Sequence, residues 1–338
     1  MSVRSTGLLL ACPGLQASQG RQMATGQHVA TPATVPPSAD ETRASASPAL
    51  TARSLITIDY LPVPREIADY VTVFYHFRCH EPVIRDIQPA AIGQLTIFPF
   101  GRGHMMFRDG RVEPSHEVNL IAPLSIAAPF EMQGPFHAIG AALSPLGWAA
   151  LTGLCAQAHG NRLYPAGLHL GEALEHDSAE WCKRYRASEL TGEDCARLLG
   201  QWIAKHLKPV PPRHAKLIAE TGYWLSAALN PAVEDLYQRL SYSPRQAQRL
   251  VEQYYGLPPR ALARKYRALR AAALLSLPHM SDETEAQLAE AFYDQAHLTR
   301  EIRLFVGRTP ARLDAGDTPY LSEMLDLRNF REITCPPA

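Results

Sequence analysis

Ser243-Pro-Arg-Gln-Ala-Gln-Arg-Leu-Val-Glu-Gln-Tyr-Tyr-Gly256 and Asp294-Gln-Ala-His-Leu-Thr-Arg-Glu-Ile-Arg-Leu-Phe-Val-Gly307 are one pattern written twice, 51 residues apart. In register, Ala247 matches Leu298, Arg249 matches Arg300, Val251 matches Ile302, Tyr254 matches Phe305 and Gly256 matches Gly307. Pro259 and Pro310 follow at the same offset. Each copy reads as a capping residue, about three turns of helix, a glycine stop and then proline. Ser243 is a strong N-cap, Pro244 suits the first helical position, and Gln246 completes a capping box. Ala247, Leu250, Val251 and Tyr254 recur at helical spacing as an inner stripe, while Arg245, Gln248, Arg249 and Glu252 mark the wet one. In the second copy Asp294 caps, Leu298, Ile302 and Phe305 face inward, and Ala296, Thr299, Arg300 and Arg303 face outward.

A shorter helical stretch and a tight polar turn precede each copy. Val233 to Leu240 leads through Ser241-Tyr242, and Glu285 to Ala291 leads through Phe292-Tyr293. Both are helix-turn-helix patterns. Between them Pro259 to Leu275 predicts one long helix, with Leu262, Tyr266, Leu269 and Ala273 as its buried stripe and Arg260, Arg264 and Arg267 as a cationic one. Two short helices of one design, each with a polar and cationic stripe, suit a protein that reads two sites on a duplex.

Val233 to Arg270, together with Ala291-Phe-Tyr-Asp-Gln-Ala-His-Leu-Thr-Arg-Glu-Ile-Arg-Leu-Phe-Val-Gly-Arg-Thr-Pro310, resembles the DNA-binding domain of AraC/XylS-type transcription regulators. The second stretch is the more specific, and the resemblance runs from 213 to 313. Upstream, Pro145-Leu-Gly-Trp148 resembles the sensor half of some members. The chain departs from the family pattern at Tyr237, where a small residue is usual, and at Ser241 and Ala291, where glycine is usual. Ala247 stands where leucine is usual.

The resemblance implies a sequence-specific DNA-binding transcription regulator that reads adjacent major grooves of double-stranded DNA and carries a β-rich sensor or dimerisation half. Its partners to test are RNA polymerase, a second copy of the chain and a small-molecule effector of unidentified chemistry; no cofactor is implied. The competing reading is a ligand-binding or interaction protein with a degenerate helix-turn-helix domain, which Tyr237 and Ser241 would favour.

Residue chemistry nominates the reading positions. Arg offers a bidentate match to guanine O6/N7 and Gln to adenine N6/N7, so Arg245, Gln248 and Arg249 are the base-reading candidates of the first unit, at positions the family also uses. The matching positions of the second are Gln295, Ala296, Thr299 and Arg300, with His297 beside them. Ala296 offers only methyl contact, so the second unit should read fewer bases. Arg260, Arg264 and Arg303 are candidates for phosphates, which add affinity without sequence information.

The charge distribution agrees. The chain carries 33 basic and 33 acidic residues, a net charge of zero, so the whole molecule is no generic polyanion binder. Between Arg239 and Arg270, however, eight Arg or Lys stand against the single acid Glu252. Local cation of this kind is the footprint expected of duplex binding. Six scattered cysteines without metal-ligand spacing suggest reduced thiols and a cytoplasmic location.

The fold class expected is α+β and multidomain: an N-terminal β-rich, barrel- or sandwich-like domain followed by an all-α domain with two helix-turn-helix units. Residues 1–52, rich in Ala, Thr, Ser, Pro and Gln, read as a disordered tail or an overextended translational start. Leu9-Leu-Ala-Cys12 resembles a lipoprotein cleavage box, but the apolar run before it is too short for a signal segment. Residues 53–170 read as the β-rich domain, with strands at 70–77, 93–98, 104–107, 117–122 and 138–143 and a hairpin turn at Arg108-Asp-Gly-Arg111. Residues 171–212 read as a helical connector ending in the stiff Lys208-Pro-Val-Pro-Pro212, residues 213–313 as the DNA-binding domain, and 314–338 as a second tail. Helices are expected at Leu146–His159, Asp177–Arg186 and Glu193–Leu207, the last two packing within the chain or against a second copy.

No glycine elbow, P-loop, Rossmann glycine pattern or His-Glu-x-x-His occurs, so no catalytic residue is nominated. Ser144, Asp109 and His137 form a triad by residue type alone. His76, Cys79 and His80 lie close in sequence without the further cluster that a zinc site needs, so no metal ligand is nominated.

Overall fold

Apolar residues that alternate between two faces dictate the first half of the chain. The computed structural model describes residues 55–277 and 279–313. The two expected tails and the lipoprotein-like box lie outside the described residues. Strands β1 (Ile56–Leu61), β2 (Val71–Cys79), β3 (Val83–Gln88), β4 (Gly93–Met106), β5 (Val112–Pro114), β6 (Val118–Ile121), β7 (Ala128–Leu143) and β8 (Leu163–Pro165) form one sheet. Its order is β1-β2-β7-β4-β6-β8, and every pairing is antiparallel. β7 is long enough to pair with β3 along Ala128–Gln133 and with β2 along Phe136–Leu143. Phe74, Ile97 and Ile139 point to one face, where Trp148, Leu174 and Leu199 of the helical layer cover them. Phe77, Phe98, Phe130 and Phe136 point to the other, where the coiled sheet closes on an aromatic core with Met105, Met132 and Leu124. One face clothed by helices and the other folded on itself is the barrel-like solution to burying both sides of a strand.

Two sequence expectations change. The strands expected at 93–98 and 104–107 are one, β4, because Phe98–Arg102 bulges rather than stops. Gly101 takes a φ of 77°, and a side chain at Gly103 would lie 2.0 Å from the Glu131 carbonyl. The glycines that resembled breakers therefore let β4 bend and β7 approach. The single helix expected from Leu146 to His159 is two, α1 (Pro145–Thr152) and α2 (Ala156–His159). Gly153 ends α1 at a φ of 68°, its N–H donating to Ala149 O, and the Trp148 indole N–H fixes the break by donating to Leu154 O at 3.0 Å.

Helices α3 (Gly167–Leu170), α4 (Glu172–Arg186) and α5 (Gly192–His206) complete the layer on the sheet. Leu174, Cys182, Leu199 and Ile203 of α4 and α5 belong to the same core as Phe74 and Ile97, so these helices serve the chain's own interior. The four described cysteines are unpaired. Among the described residues no helix is long and apolar enough to cross a membrane.

The rest is helical: α6 (Pro212–Ala227), α7 (Val233–Arg239), α8 (Pro244–Tyr255), α9 (Pro259–Leu275), α10 (Asp282–Ala291) and α11 (Gln295–Val306). One core gathers Leu217, Trp224, Leu236, Leu250, Val251, Tyr266, Leu298 and Ile302. Tyr237 is accommodated at the half-exposed edge of α7, while Leu236, Leu240 and Ala247 close the first unit beneath it. The departures from the family pattern therefore leave that unit packed.

Candidate nucleic-acid interface

Each recognition helix starts from a side-chain cap. Ser243 Oγ accepts from the Gln246 amide at 3.4 Å, and Asp294 Oδ1 accepts from the His297 amide at 2.6 Å. Such caps fix where the helix begins and so which residues occupy its first turns. In α8 the buried stripe is Ala247, Leu250, Val251, Tyr254 and Tyr255, which leaves Arg245, Gln248 and Arg249 exposed. Gln248 Nε2 donates to Glu252 Oε1 at 2.9 Å, a bond that aligns the amide along the outer face.

In the second unit Gln295, Ala296, Arg300 and Arg303 are exposed. Thr299, half-buried, turns its hydroxyl back to Gln295 O at 2.8 Å. The His297 ring does not project freely; its Nε2 lies 3.0 Å from Glu301 Oε1. As a base-reading candidate it is therefore already engaged, because an i,i+4 neighbour of opposite chemistry lies directly beneath it.

Glu301 is the residue that sequence reasoning passed over. Its side chain is 1% exposed, and it receives Arg264 Nε at 2.7 Å and Arg267 Nη2 at 2.6 Å. Arg267 also donates to Asn230 Oδ1 and lies over the Phe292 ring. The cationic stripe expected on α9 is thus split: Arg260 is exposed, Arg264 is shared between Glu301 and solvent, and Arg267 is buried as a joint between α9 and α11. The sequence signal was present, since Glu301 sits between Leu298 and Ile302 on the inward edge, where an unpaired acid would be costly.

These elements meet around one concavity of about 820 Å³. Gln248 of the first unit, Arg260 and Arg264 of the linking helix and His297 of the second unit line it together. A second hollow continues along α8 past Arg245, Gln248 and Arg249. Arg303 is exposed in the last turn of α11 and is not among the residues lining either hollow.

The residues of the paper triad have other partners. Ser144 caps α1 and donates to Asp69 O, Asp109 holds Arg111 in its hairpin, and His137 Nδ1 lies 2.8 Å from the Tyr185 hydroxyl. That hydroxyl also meets His76 Nε2 at 2.8 Å. Burial drives His76 and His137 down to about 4, which keeps both imidazoles neutral near pH 7. Trp148 and Phe98 are core residues, and Tyr75 bonds to Gln94.

Two helix-turn-helix units on a shared core define a tandem helix-turn-helix domain. Residues 236–315 match the family model described as a helix-turn-helix domain, a model of the AraC type. No curated protein matches the chain. Among solved structures, ToxT from Vibrio cholerae O395 is similar at 9% identity and a TM-score of 0.40, covering 78% of this chain and 99% of that one. Unsaturated fatty acid-bound wild-type ToxT from Vibrio cholerae strain SCE256 gives 8%, 0.40, 80% and 96%. The AraC-like transcriptional activator CuxR gives 13%, 0.29, 64% and 86%.

Proposed function

We propose that this protein is a sequence-specific DNA-binding transcription regulator whose two helix-turn-helix units enter successive major grooves on one side of a duplex. The observation that carries the reading is the shared concavity: Gln248 of the first unit, Arg260 and Arg264 of the linking helix and His297 of the second line one hollow, so a phosphate backbone crossing it would meet both units. Half-sites one helical turn apart, about 34 Å, suit two heads fixed on one frame. Arg245, Gln248 and Arg249 read bases in the first unit; Gln295, Ala296, Thr299 and Arg300 read fewer in the second, beside the tethered His297. Arg260, Arg264 and Arg303 neutralise phosphates.

Arg249→Ala is expected to relax base preference at one operator position by about 1–3 kcal/mol while leaving unfolding unchanged. Selection from random duplexes by both proteins measures it. Identical preferred sequences for the two would reject base reading at Arg249, and failure of the wild type to enrich any sequence would reject the function. A groove of about 390 Å³ beside α5, lined by Leu61, Phe74, Thr191 and Arg197 among others, offers room for a small effector, within the size range of ligand sites.

A further inference from the structure

The β-rich half grips both recognition helices by their C-terminal ends. α8 stops at Gly256 and α11 at Gly307, at φ of 81° and 84°. A side chain at Gly256 would lie 3.3 Å from Ala156 O of α2; one at Gly307 would strike Ile87 Cγ2 of β3 at 2.4 Å. The repeated glycine therefore acts twice, ending each helix and letting the other half of the chain come against it.

Around Gly307 the grip is polar. A helix end leaves its last carbonyls without intrahelical donors. Here Phe305 O accepts from Ala90 N at 2.7 Å and Leu304 O from Ala127 N at 3.1 Å, both donors coming from loops of the sheet. Arg308 follows with an ion pair to Asp86 of β3, the two side chains 5% and 0% exposed. In return Lys265 of α9 reaches back to Leu124 O at 2.9 Å and Ala91 O at 3.3 Å. Arg245, Gln248 and Arg249 of α8 and Gln295, Ala296 and Arg300 of α11 stay exposed.

The ion pair is not an economical way to gain stability. Asp86 Oδ2 and Arg308 Nε have no hydrogen-bond partner among the described residues, and burial pushes the Asp86 carboxyl up to about 6 despite Arg308. A buried pair left partly unsatisfied contributes little over an apolar contact, and its best-attested use is to fix register. Register is what two reading heads require, since a shift of two base pairs turns the second half-site by about 70° away from the first.

We propose that the β-rich half is a brace that sets the second recognition helix relative to the first, with Asp86 a positioning residue acting through Arg308. The proposal rests on the DNA-reading function only for the second of its two tests, both made on the full chain. Asp86→Asn keeps the volume and removes the charge; Asp86→Asn with Arg308→Gln also avoids a stranded guanidinium, should the single variant fold poorly.

In the first test, amide exchange at the end of α11 should quicken about ten-fold in either variant with α8 unchanged. Unchanged exchange in α11, or equal quickening throughout the chain, would overturn the brace. In the second, the duplex that the wild type selects from random sequences is lengthened by two base pairs between its halves. The wild type should lose about ten-fold in affinity, equivalent to 1.4 kcal/mol, and the variants less than about three-fold. Equal losses in wild type and variants would refute positioning. Quickened α11 exchange with no duplex selected by the wild type would sink DNA reading and leave the brace standing.

Discussion

Glu301→Ala is expected to lower the unfolding free energy by about 3–5 kcal/mol, read as a fall in the denaturant midpoint, because it removes one partner of a buried charge cluster. The magnitude follows from what is left behind. Arg267, with 8% of its side chain exposed, would keep its charge and lose the carboxylate that accepts from both Nε and Nη2. Arg264, 46% exposed, can turn to water, so Arg264→Ala should cost within about 1 kcal/mol, as half-exposed pairs do. Glu301→Gln keeps the shape and separates charge from packing.

The same carboxylate predicts an acid limb. Burial alone would raise the Glu301 carboxyl, but hydrogen bonds from Arg264 and Arg267 outweigh it and hold the group below its ordinary range. With the folded value below the unfolded one, the contribution is complete above the unfolded value, about 4.3, and disappears as pH falls through the folded value. Glu301→Gln should therefore flatten the loss of stability below about pH 5. An alanine variant within about 1 kcal/mol of wild type would show that the cluster is not the joint between α9 and α11.

What could be read in the sequence was what repeats. Cap, inner stripe and glycine stop recur at a fixed offset, so α8 and α11 match their expected limits closely, and α9 runs Pro259–Leu275 as its apolar spacing required. Propensity and periodicity are local, and these helices obey them. The β-rich half was harder, because its glycines serve tertiary contacts: Gly103 admits β7, whereas Gly153 does end a helix. The same residue type carries opposite meanings, and only the neighbour decides. The partners of the charged residues were the least legible. Arg260, Arg264 and Arg267 are equivalent on a helical wheel, yet one is exposed, one shared and one buried. That difference originates in Glu301, 34 residues beyond Arg267. Asp86 and Arg308 lie 222 residues apart, with nothing local to mark either.

Raising the salt from about 50 to 200 mM should weaken duplex binding through Arg260, Arg264 and Arg303 by at most roughly 40-fold, since each fully neutralised phosphate adds about 0.9 to the logarithmic slope. The chain has no net charge, so a steep response must come from a local field rather than from bulk attraction. The three arginines should not contribute equally. Arg260 and Arg303 are exposed and have no acidic partner among the described residues, whereas Arg264 already shares Glu301. Arg260→Ala and Arg303→Ala should each flatten the slope by about 0.9 and leave base preference unchanged, while Arg264→Ala should flatten it less. Arg249→Ala should do the reverse, changing preference more than slope. A slope that Arg260→Ala does not move would remove the phosphate role from the N-terminal turn of α9. If Arg264→Ala flattened it more than the other two, the Glu301 contact would have to open when DNA binds, and the joint between the heads would then be a moving part.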